Sequence, residues 1–379
     1  MTTQLGVIAT CTFGLESVAA HEVKQMGFSL QDASDGKIRL MATAQDIPRL
    51  NIGLRCAERV LVEIASFAAA SFDELFDSIA NLEWENWIRK SDRVEISRVR
   101  SKKSSLFSER TVQSVAHKAI LTRLQKSYHL QQFPEKGPAI PIHVYLAKNQ
   151  CTVAIDTSGE GLHRRGYRLQ RGEAPLRETI AAGLLHHARW HEPIPLMDPF
   201  CGSGTIAIEA AMMAANKAPG MQRRFLSEGW NWIPGRSWKD ARREAGDMEK
   251  KSDTPLFASD SSTEMVRYAI ENARRAGVED FIRFAQKPAE TVKSDLHYGF
   301  VVTNPPFGKR LSDLEQARMV YKQMRHFHKD LPDWSFFILS PFLELPNDLG
   351  KQQDRKIKIS DSGLETYLQF FWGPRPGKE

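Results

Sequence analysis

The chain has 379 residues, 41% hydrophobic and 26% charged, with a formal net charge of +6; that length predicts two or three domains with real cores, and the mild positive charge admits a nucleic-acid partner without requiring one. Its four cysteines lack C-x-x-C spacing, which excludes a disulfide framework or cysteine zinc site and fits a reducing cytoplasm. The opening residues carry no basic region ahead of a long apolar run, and no stretch approaches the roughly 18 apolar residues of a membrane span, so neither a signal peptide nor a membrane partner is expected.

In chain order, "LGVIATC" reads as a strand. "GLESVAAHEVKQMGF" reads as a helix with Leu15, Val18, Ala19, Val23 and Met26 near helical spacing and Gly27 at its end. "GKIRLMA" alternates as a strand does, and "RCAERVLVEIASF" supplies another. Residues 1–65 therefore form a small α+β unit. Residues 66–157 repeat that character. A helix pattern in "SFDELFDSIANL" precedes a strand in "DRVEISRVRSKK", a serine-rich basic loop and a long amphipathic helix. "AIPIHVYLAKNQCTVAID" then reads as a hairpin turning at Lys148-Asn149. Arg98, Arg100 and Lys102 alternate and so share one strand face if the strand runs that far, with Lys103 beside them. Two readings stay open for this run: a solvated face, or contacts to RNA phosphates.

Glycines at 159, 161, 166 and 172 loosen the link that follows, and Arg164, Arg165, Arg168 and Arg171 charge it. A helix is expected from Ala174, with Pro175 tolerated in its first turn. His187 and His191 have the spacing of a helical metal pair, but no Glu-rich or Cys-rich partner accompanies them, so no metal is expected. Residues 158–379 then alternate strand and helix: "IPLMD", "GTIAIEAAMMAANKA", "PLFASD", "STEMVRYAIENARRAG", "FIRFAQ", "YGFVVTN", "DWSFFILS" and "ETYLQFFW". This predicts an α/β domain with a doubly wound, mostly parallel sheet. The basic, Trp-rich stretch from Pro219 to Thr254 elaborates its first crossover.

The chemistry is expected at the strand ends of that sheet. "LMDPFCGSGT" places Gly202 and Gly204 in a turn between strand and helix, where the backbone can approach a ligand. A P-loop would need a lysine and a dinucleotide fingerprint a third glycine; neither is present. S-adenosylmethionine remains. Asp198 suits its ammonium, and Asp260, ending the next strand in "FASD", suits its ribose hydroxyls. Asn304-Pro305-Pro306 in "TNPPFGKRL" makes a rigid rim, because proline fixes the backbone and restrains the residue before it. The Asn304 side-chain carbonyl and the Pro305 backbone carbonyl could hold the two N–H groups of a nucleobase amine and aim its lone pair at a methyl sulfonium. Phe307 offers a face for an extruded base, or packs in the core.

At these residues the chain resembles class I amino-methyltransferases: "DPFCGSGT" and "NPPFG" look like their first and fourth motifs. "GLHRRGYR", "APLRETIAAGLL" and "ATCTFGLESVAAHEVKQMGF" narrow the likeness to THUMP-containing RNA methyltransferases, most of all the bacterial 23S rRNA guanine-N2 group. The resemblance implies a ferredoxin-like region (1–65), a THUMP RNA-binding domain (66–157) and a Rossmann-like methyltransferase domain (158–379). It implies cofactor positions at Asp198, Pro199, Gly202, Gly204, Asp260 and Asn304, with Thr179 walling the pocket. It implies catalysis at Asn304, Pro305, Pro306 and Phe307, and RNA contacts from Arg98, Arg100, Lys102, Lys103, Arg164, Arg165, Lys309 and Arg310. The chain departs from the family in carrying Ser261-Ser262 after the ribose acid, "AQKPAETV" without the third-motif aspartate, so that only Gln286 stands near that place, and "GKRL" after the catalytic aromatic. Because the chain ends at Glu379, a single activity is expected. The same machinery would serve a tRNA guanine or an adenine N6 in DNA, and a non-catalytic ribosome-assembly role is the contrasting class.

Overall fold

The computed structural model describes residues 3–168, 175–306, 318–322, 324–361, 364–375 and 377. Two seven-stranded sheets organise them. The first contains β1 (Leu5–Cys11), β2 (Leu30–Ser34), β3 (Lys37–Ala42), β4 (Ala57–Ala68), β5 (Arg93–Lys102), β6 (Ala139–Ala147) and β7 (Gln150–Asp156) in the order β2-β3-β1-β4-β7-β6-β5. Helices α1 (Glu16–Gln25), α2 (Ile47–Gly53), α3 (Phe72–Ala80) and α4 (Glu109–Tyr128) accompany it. The 12-residue β4 runs across the boundary expected at residues 65 and 66. It pairs with β1 through Ala57 to Glu63 and with β7 through Leu61 to Ala68. The two front regions thus share one continuous sheet.

Local chemistry explains most of these elements. Ser71 and Glu74 form a reciprocal capping box that starts α3, worth about 1 kcal/mol. Lys148 and Asn149 both adopt positive φ, 51° and 61°, as a two-residue type I′ hairpin turn requires. The strand β5 does run to Lys102, and a bulge between Ile96 and Arg98 shifts its register. Buried positions consequently pass from Val94 and Ile96 to Val99, leaving Arg98, Arg100 and Lys102 exposed on one edge strand.

The second sheet contains β8 (Leu196–Asp198), β9 (Leu256–Asp260), β10 (Ile282–Gln286), β11 (Phe300–Thr303), β12 (Ser335–Ser340), β13 (Arg355–Asp361) and β14 (Leu364–Phe371) in the order β10-β9-β8-β11-β12-β14-β13. Strands β8 to β12 pair in parallel and β14 runs against its neighbours. Helices α5 (Glu178–His187), α6 (Thr205–Ala214), α7 (Gly235–Asp247) and α8 (Thr263–Ala276) belong to this half. Because the order starts from β8 and winds outward on both sides, the switch point lies between β8 and β11, where an open α/β sheet forms its ligand crevice.

Three features differ from the sequence reading. Helix α5 begins at Glu178 rather than Ala174: Arg177 is extended (φ −68°, ψ 143°), and the Leu176 carbonyl accepts from Arg168 Nη2 at 2.9 Å. The strands β2 and β13 were not anticipated. In β2, "LQDAS", no residue is buried, so no apolar alternation marks it. In β13, "RKIKISD", the alternation is present but short and lysine-rich, as an edge strand tends to be.

The link is also tighter than its glycines imply. Arg165, 2% exposed, pairs with the fully buried Glu209 of α6 at 3.3 Å, and Tyr167 Oη reaches the same carboxylate at 3.3 Å. Arg168 pairs with Glu178 at 3.2 Å and donates to Thr205 Oγ1 at 2.6 Å. Within the front half, Asn51 Nδ2 donates to Thr157 Oγ1 at 2.9 Å, and across the junction His187 Nε2 donates to the Gly14 carbonyl at 2.8 Å. One apolar core consequently runs through both halves, with a second under β11 and β12 around Tyr321, Phe327, Trp334 and Phe336.

Candidate active site at the strand ends

The turn after β8 is built for close approach. Gly202 has φ +51° and nothing within 4 Å of where a Cβ would project. Gly204 has φ +87°, but its missing side chain answers a different demand: a Cβ there would lie 3.0 Å from the Ala269 Cβ of α8. Gly204 therefore serves helix packing and the start of α6. The Cys201 N–H donates to the Ser259 carbonyl at 2.9 Å, and Asn272 Nδ2 of α8 donates to the Ser203 carbonyl at 3.1 Å, so the turn is fastened to the neighbouring strand and helix.

Three strand ends meet here. The carboxylate of Asp260 accepts from the Gly202 N–H at 3.0 Å and from the Ser262 N–H at 2.9 Å. It thus holds the glycine turn with one oxygen and its own strand end with the other. Asp198 is 1% exposed, and Pro199 behind it is buried too. Its Oδ1 accepts from the Thr303 hydroxyl at 2.6 Å and from the Phe200 N–H at 3.2 Å. Burial pushes its carboxyl up to about 7, with the Asp260 charge adding to the rise and the Thr303 and Phe200 donors opposing it. A buried carboxylate with spare lone pairs and no cationic partner among the described residues is a seat for a cation.

Thr303 was not anticipated from the sequence. It is the residue before Asn304, and its hydroxyl ties the end of β11 to the end of β8. A threonine closing a buried apolar strand beside the asparagine rim was the available signal. Asn304 follows, half-buried. Its Oδ1 is buried and has no hydrogen-bond partner among the described residues. Pro305 is buried and Pro306 exposed. An orphaned acceptor is costly unless something completes it, so this oxygen points to a missing donor. The donor set as a whole fits S-adenosylmethionine: Asp198 for a cationic amine, Gly202 for a closely approaching chain and Asp260 for hydroxyls.

Other expected positions fare differently. Phe307, Lys309 and Arg310 lie outside the described residues. The hydroxyl of Thr179 is engaged by Glu58 of β4, which also bonds His163 at 2.8 Å, so this hydroxyl serves the interdomain junction. Gln286 Nε2 donates to the Ser261 carbonyl at 3.0 Å. Arg165 cannot meet RNA, because it is buried against Glu209; Arg164 is exposed and paired with Glu160 at 2.8 Å. Arg98, Lys102 and Lys103 form no ion pair among the described residues, whereas Arg100 pairs with Glu109 at 3.1 Å.

His187 and His191 go to separate carbonyls, those of Gly14 and Glu192. It is His186 that lies near a carboxylate and a thiol, with ligand atoms of Glu22, Cys56 and His186 within 4.8 Å of one another. Glu22 already accepts the Arg55 and Cys56 N–H groups at 3.1 and 2.9 Å, and the buried Arg55 guanidinium beside it opposes a cation.

The described geometry matches known proteins throughout its length. Residues 165–368 match the family model "RMKL-like, methyltransferase domain". The chain belongs to the RMKL-like methyltransferase family. Within this RMKL-like chain, residues 6–61 match an RlmL ferredoxin-like domain and residues 69–156 a THUMP domain. A relative from Bacillus subtilis, named "Putative RNA methyltransferase YpsC", is 37% identical over 98% of this chain and 97% of its own. "Ribosomal RNA large subunit methyltransferase K/L" of Dichelobacter nodosus is 33% identical over 88% of this chain and 47% of its own length, so the RMKL-like chain spans about half of such K/L relatives. The crystal structure of "SMU.472, a putative methyltransferase complexed with SAH" superimposes with a TM-score of 0.92 at 33% identity, covering all of both chains. The expected class I methyltransferase fold is therefore the fold of this chain.

Proposed function

We propose that this RMKL-like enzyme methylates an exocyclic base amine of RNA, guanine N2 of 23S rRNA, with S-adenosylmethionine as methyl donor. The observation that carries the reading is the orphaned Asn304 Oδ1, held beside the Asp198–Thr303 pair at the switch point of the sheet. S-adenosylmethionine, when bound, supplies an electrophilic methyl group on a sulfonium. The chain's own residues do the rest. Asp198 offers a buried acceptor for a cationic amine, and Asp260 holds the glycine turn open. Asn304 Oδ1 accepts one N–H of the target amine, and the Pro305 carbonyl, on a backbone restricted by two consecutive prolines, accepts the other. Two acceptors draw the amine nitrogen from its conjugated plane and orient its lone pair, so positioning and electrostatics carry the step. Two features support RNA as the substrate: the exposed cations of β5, and relatives named as RNA and ribosomal RNA methyltransferases. A cytoplasmic location follows from a ribosomal RNA substrate and rests on it; no described helix is long and apolar enough to cross a membrane.

Single-turnover methylation of deproteinised 23S rRNA tests this. Asn304→Ala is expected to fold and bind cofactor yet lose about 10²–10³ in rate, as on removal of one preorganised hydrogen-bonding group. Full rate in that variant, or methylation of tRNA or DNA but not rRNA by the wild type, would overturn the corresponding part of the proposal.

A further inference from the structure

The crossover between β8 and β9 holds a concavity of about 860 Å³, lined by residues between 221 and 242 and by none of the strand-end site. Five cationic side chains line it, Arg223, Arg224, Arg236, Lys239 and Arg242, against one carboxylate, Glu228. Two of the five are locally neutralised: Arg242 pairs with Glu228 at 2.7 Å, and Arg236 with Asp240 at 3.2 Å. Arg224 and Lys239 are exposed and form no ion pair among the described residues.

Arg223 is the unusual member. It is 9% exposed and lies over the Phe225 ring with 4.8 Å to the centroid. Its Nη1 and Nη2 donate to the carbonyls of Gly161, Arg164 and Glu160 at 2.6, 3.1 and 2.7 Å, which fastens the crossover to the interdomain link. Its Nε is buried without an acceptor among the described residues, and no carboxylate there pairs with it. A buried guanidinium hydrogen-bonded only to neutral carbonyls has no carboxylate in contact; Glu160 and Asp156 act on it only from a distance, so its charge is incompletely compensated. The first turn of the 13-residue α7 also lines this concavity through Gly235 and Arg236, and Pro234 gives that helix no side-chain cap. Of its first-turn amides, the Ser237 N–H already donates to the Pro234 carbonyl at 2.9 Å; those of Gly235 and Arg236, with the helix dipole, favour an anion there.

We propose that this concavity binds a backbone phosphate of the substrate RNA, and so forms a second anchor within the catalytic half, separate from the β5 edge. The inference rests on the RNA reading above. Arg224 and Lys239 supply the accessible charge, Arg223 the fixed field behind them, and the start of α7 the amide donors. Exposed Arg164, whose carbonyl Arg223 holds, extends the same basic surface onto the link.

The test is binding of the full chain to deproteinised large-subunit rRNA across a salt series. Arg224→Glu combined with Lys239→Glu is expected to weaken binding by roughly tenfold or more and to lower the salt slope by about 1, the share of one phosphate contact. Arg243→Glu, exposed on α7 but outside the concavity, serves as the control for diffuse charge and should leave the slope in place. Cofactor affinity, read by calorimetry, should match wild type in all variants. An unchanged slope in the double variant, or an equal loss in Arg243→Glu, overturns the phosphate site; the first result leaves the patch to a protein partner. If wild type itself binds no RNA, the proposed substrate falls together with this anchor. Methylation and binding by wild type that survive the double variant remove the anchor alone.

Discussion

The amino-terminal sheet displays its basic residues along an edge strand, whereas the catalytic sheet gathers its acids at strand ends. Arg98, Arg100 and Lys102 come from one stretch of β5 and point the same way because side chains alternate. Asp198, Asp260 and Thr303 come from three strands, and only parallel pairing brings their carboxyl ends to one rim. The edge is exposed, so its charges act nearly independently and are screened by salt. The rim is buried, so its groups are coupled and each hydrogen bond decides the state of another. Recognition by many weak equal contacts suits the first arrangement; chemistry by a few exact distances suits the second.

The comparison holds only while the link keeps both regions in place, and breaking the link should give the largest effect. Arg165→Ala leaves the fully buried Glu209 without its guanidinium partner and, among the described residues, hydrogen-bonded only to the Tyr167 hydroxyl. It should cost about 3–5 kcal/mol of stability, read as a large fall in the denaturant midpoint. Little change would mean that the junction is held by apolar packing alone.

A smaller and more selective effect should come from pH at the rim. The Asp198 carboxyl is raised from 3.8 to about 7 in the folded chain, so between those values the native state binds more protons than the unfolded one. Stability of the cofactor-free protein should therefore decline as pH rises through that window, and the decline should end above about 7. Cofactor affinity should move the other way, by at most about tenfold per pH unit, as ionised Asp198 becomes available to a cationic amine. Asp198→Asn should flatten both trends. Thermal melts and calorimetry from pH 5 to 8.5 check this, and identical profiles in wild type and variant would remove Asp198 from the ammonium role.

The smallest single effects belong to the edge. Replacing Arg98, Lys102 or Lys103 singly with alanine should lower RNA affinity only severalfold and the salt slope by about 1 each. The losses should add, since the side chains share no partner. Strong non-additivity would show that the edge behaves as a built site like the rim.

This contrast also sets what the sequence could disclose. The edge was readable because alternation is local, though not the bulge that restores it beyond Ile96. The glycine turn and the asparagine-proline rim were readable because their residue types are forced by backbone demands. Thr303 was missed because its role exists only once β11 lies beside β8. Arg165 was misjudged because a basic, glycine-rich link looks solvent-borne until Glu209 of α6, 44 residues on, comes back to meet it. The short strand β2 lacked any apolar pattern to betray it.

The Trp-rich crossover has one more consequence. Trp232 sits edge-on to Trp87 of the THUMP region, with ring centroids 5.0 Å apart, while Arg223 grips the link. The crossover is thereby tied both to the front region, through Trp87, and to the link, through Arg223. Under the proposed RNA reading, an RNA anchored on the front sheet with its target base at the rim would meet a caliper with set jaws. The nucleotide modified would then be decided by its distance from the anchored element of the RNA fold, and a lengthened or shortened RNA spacer would miss the jaws even with the target sequence intact.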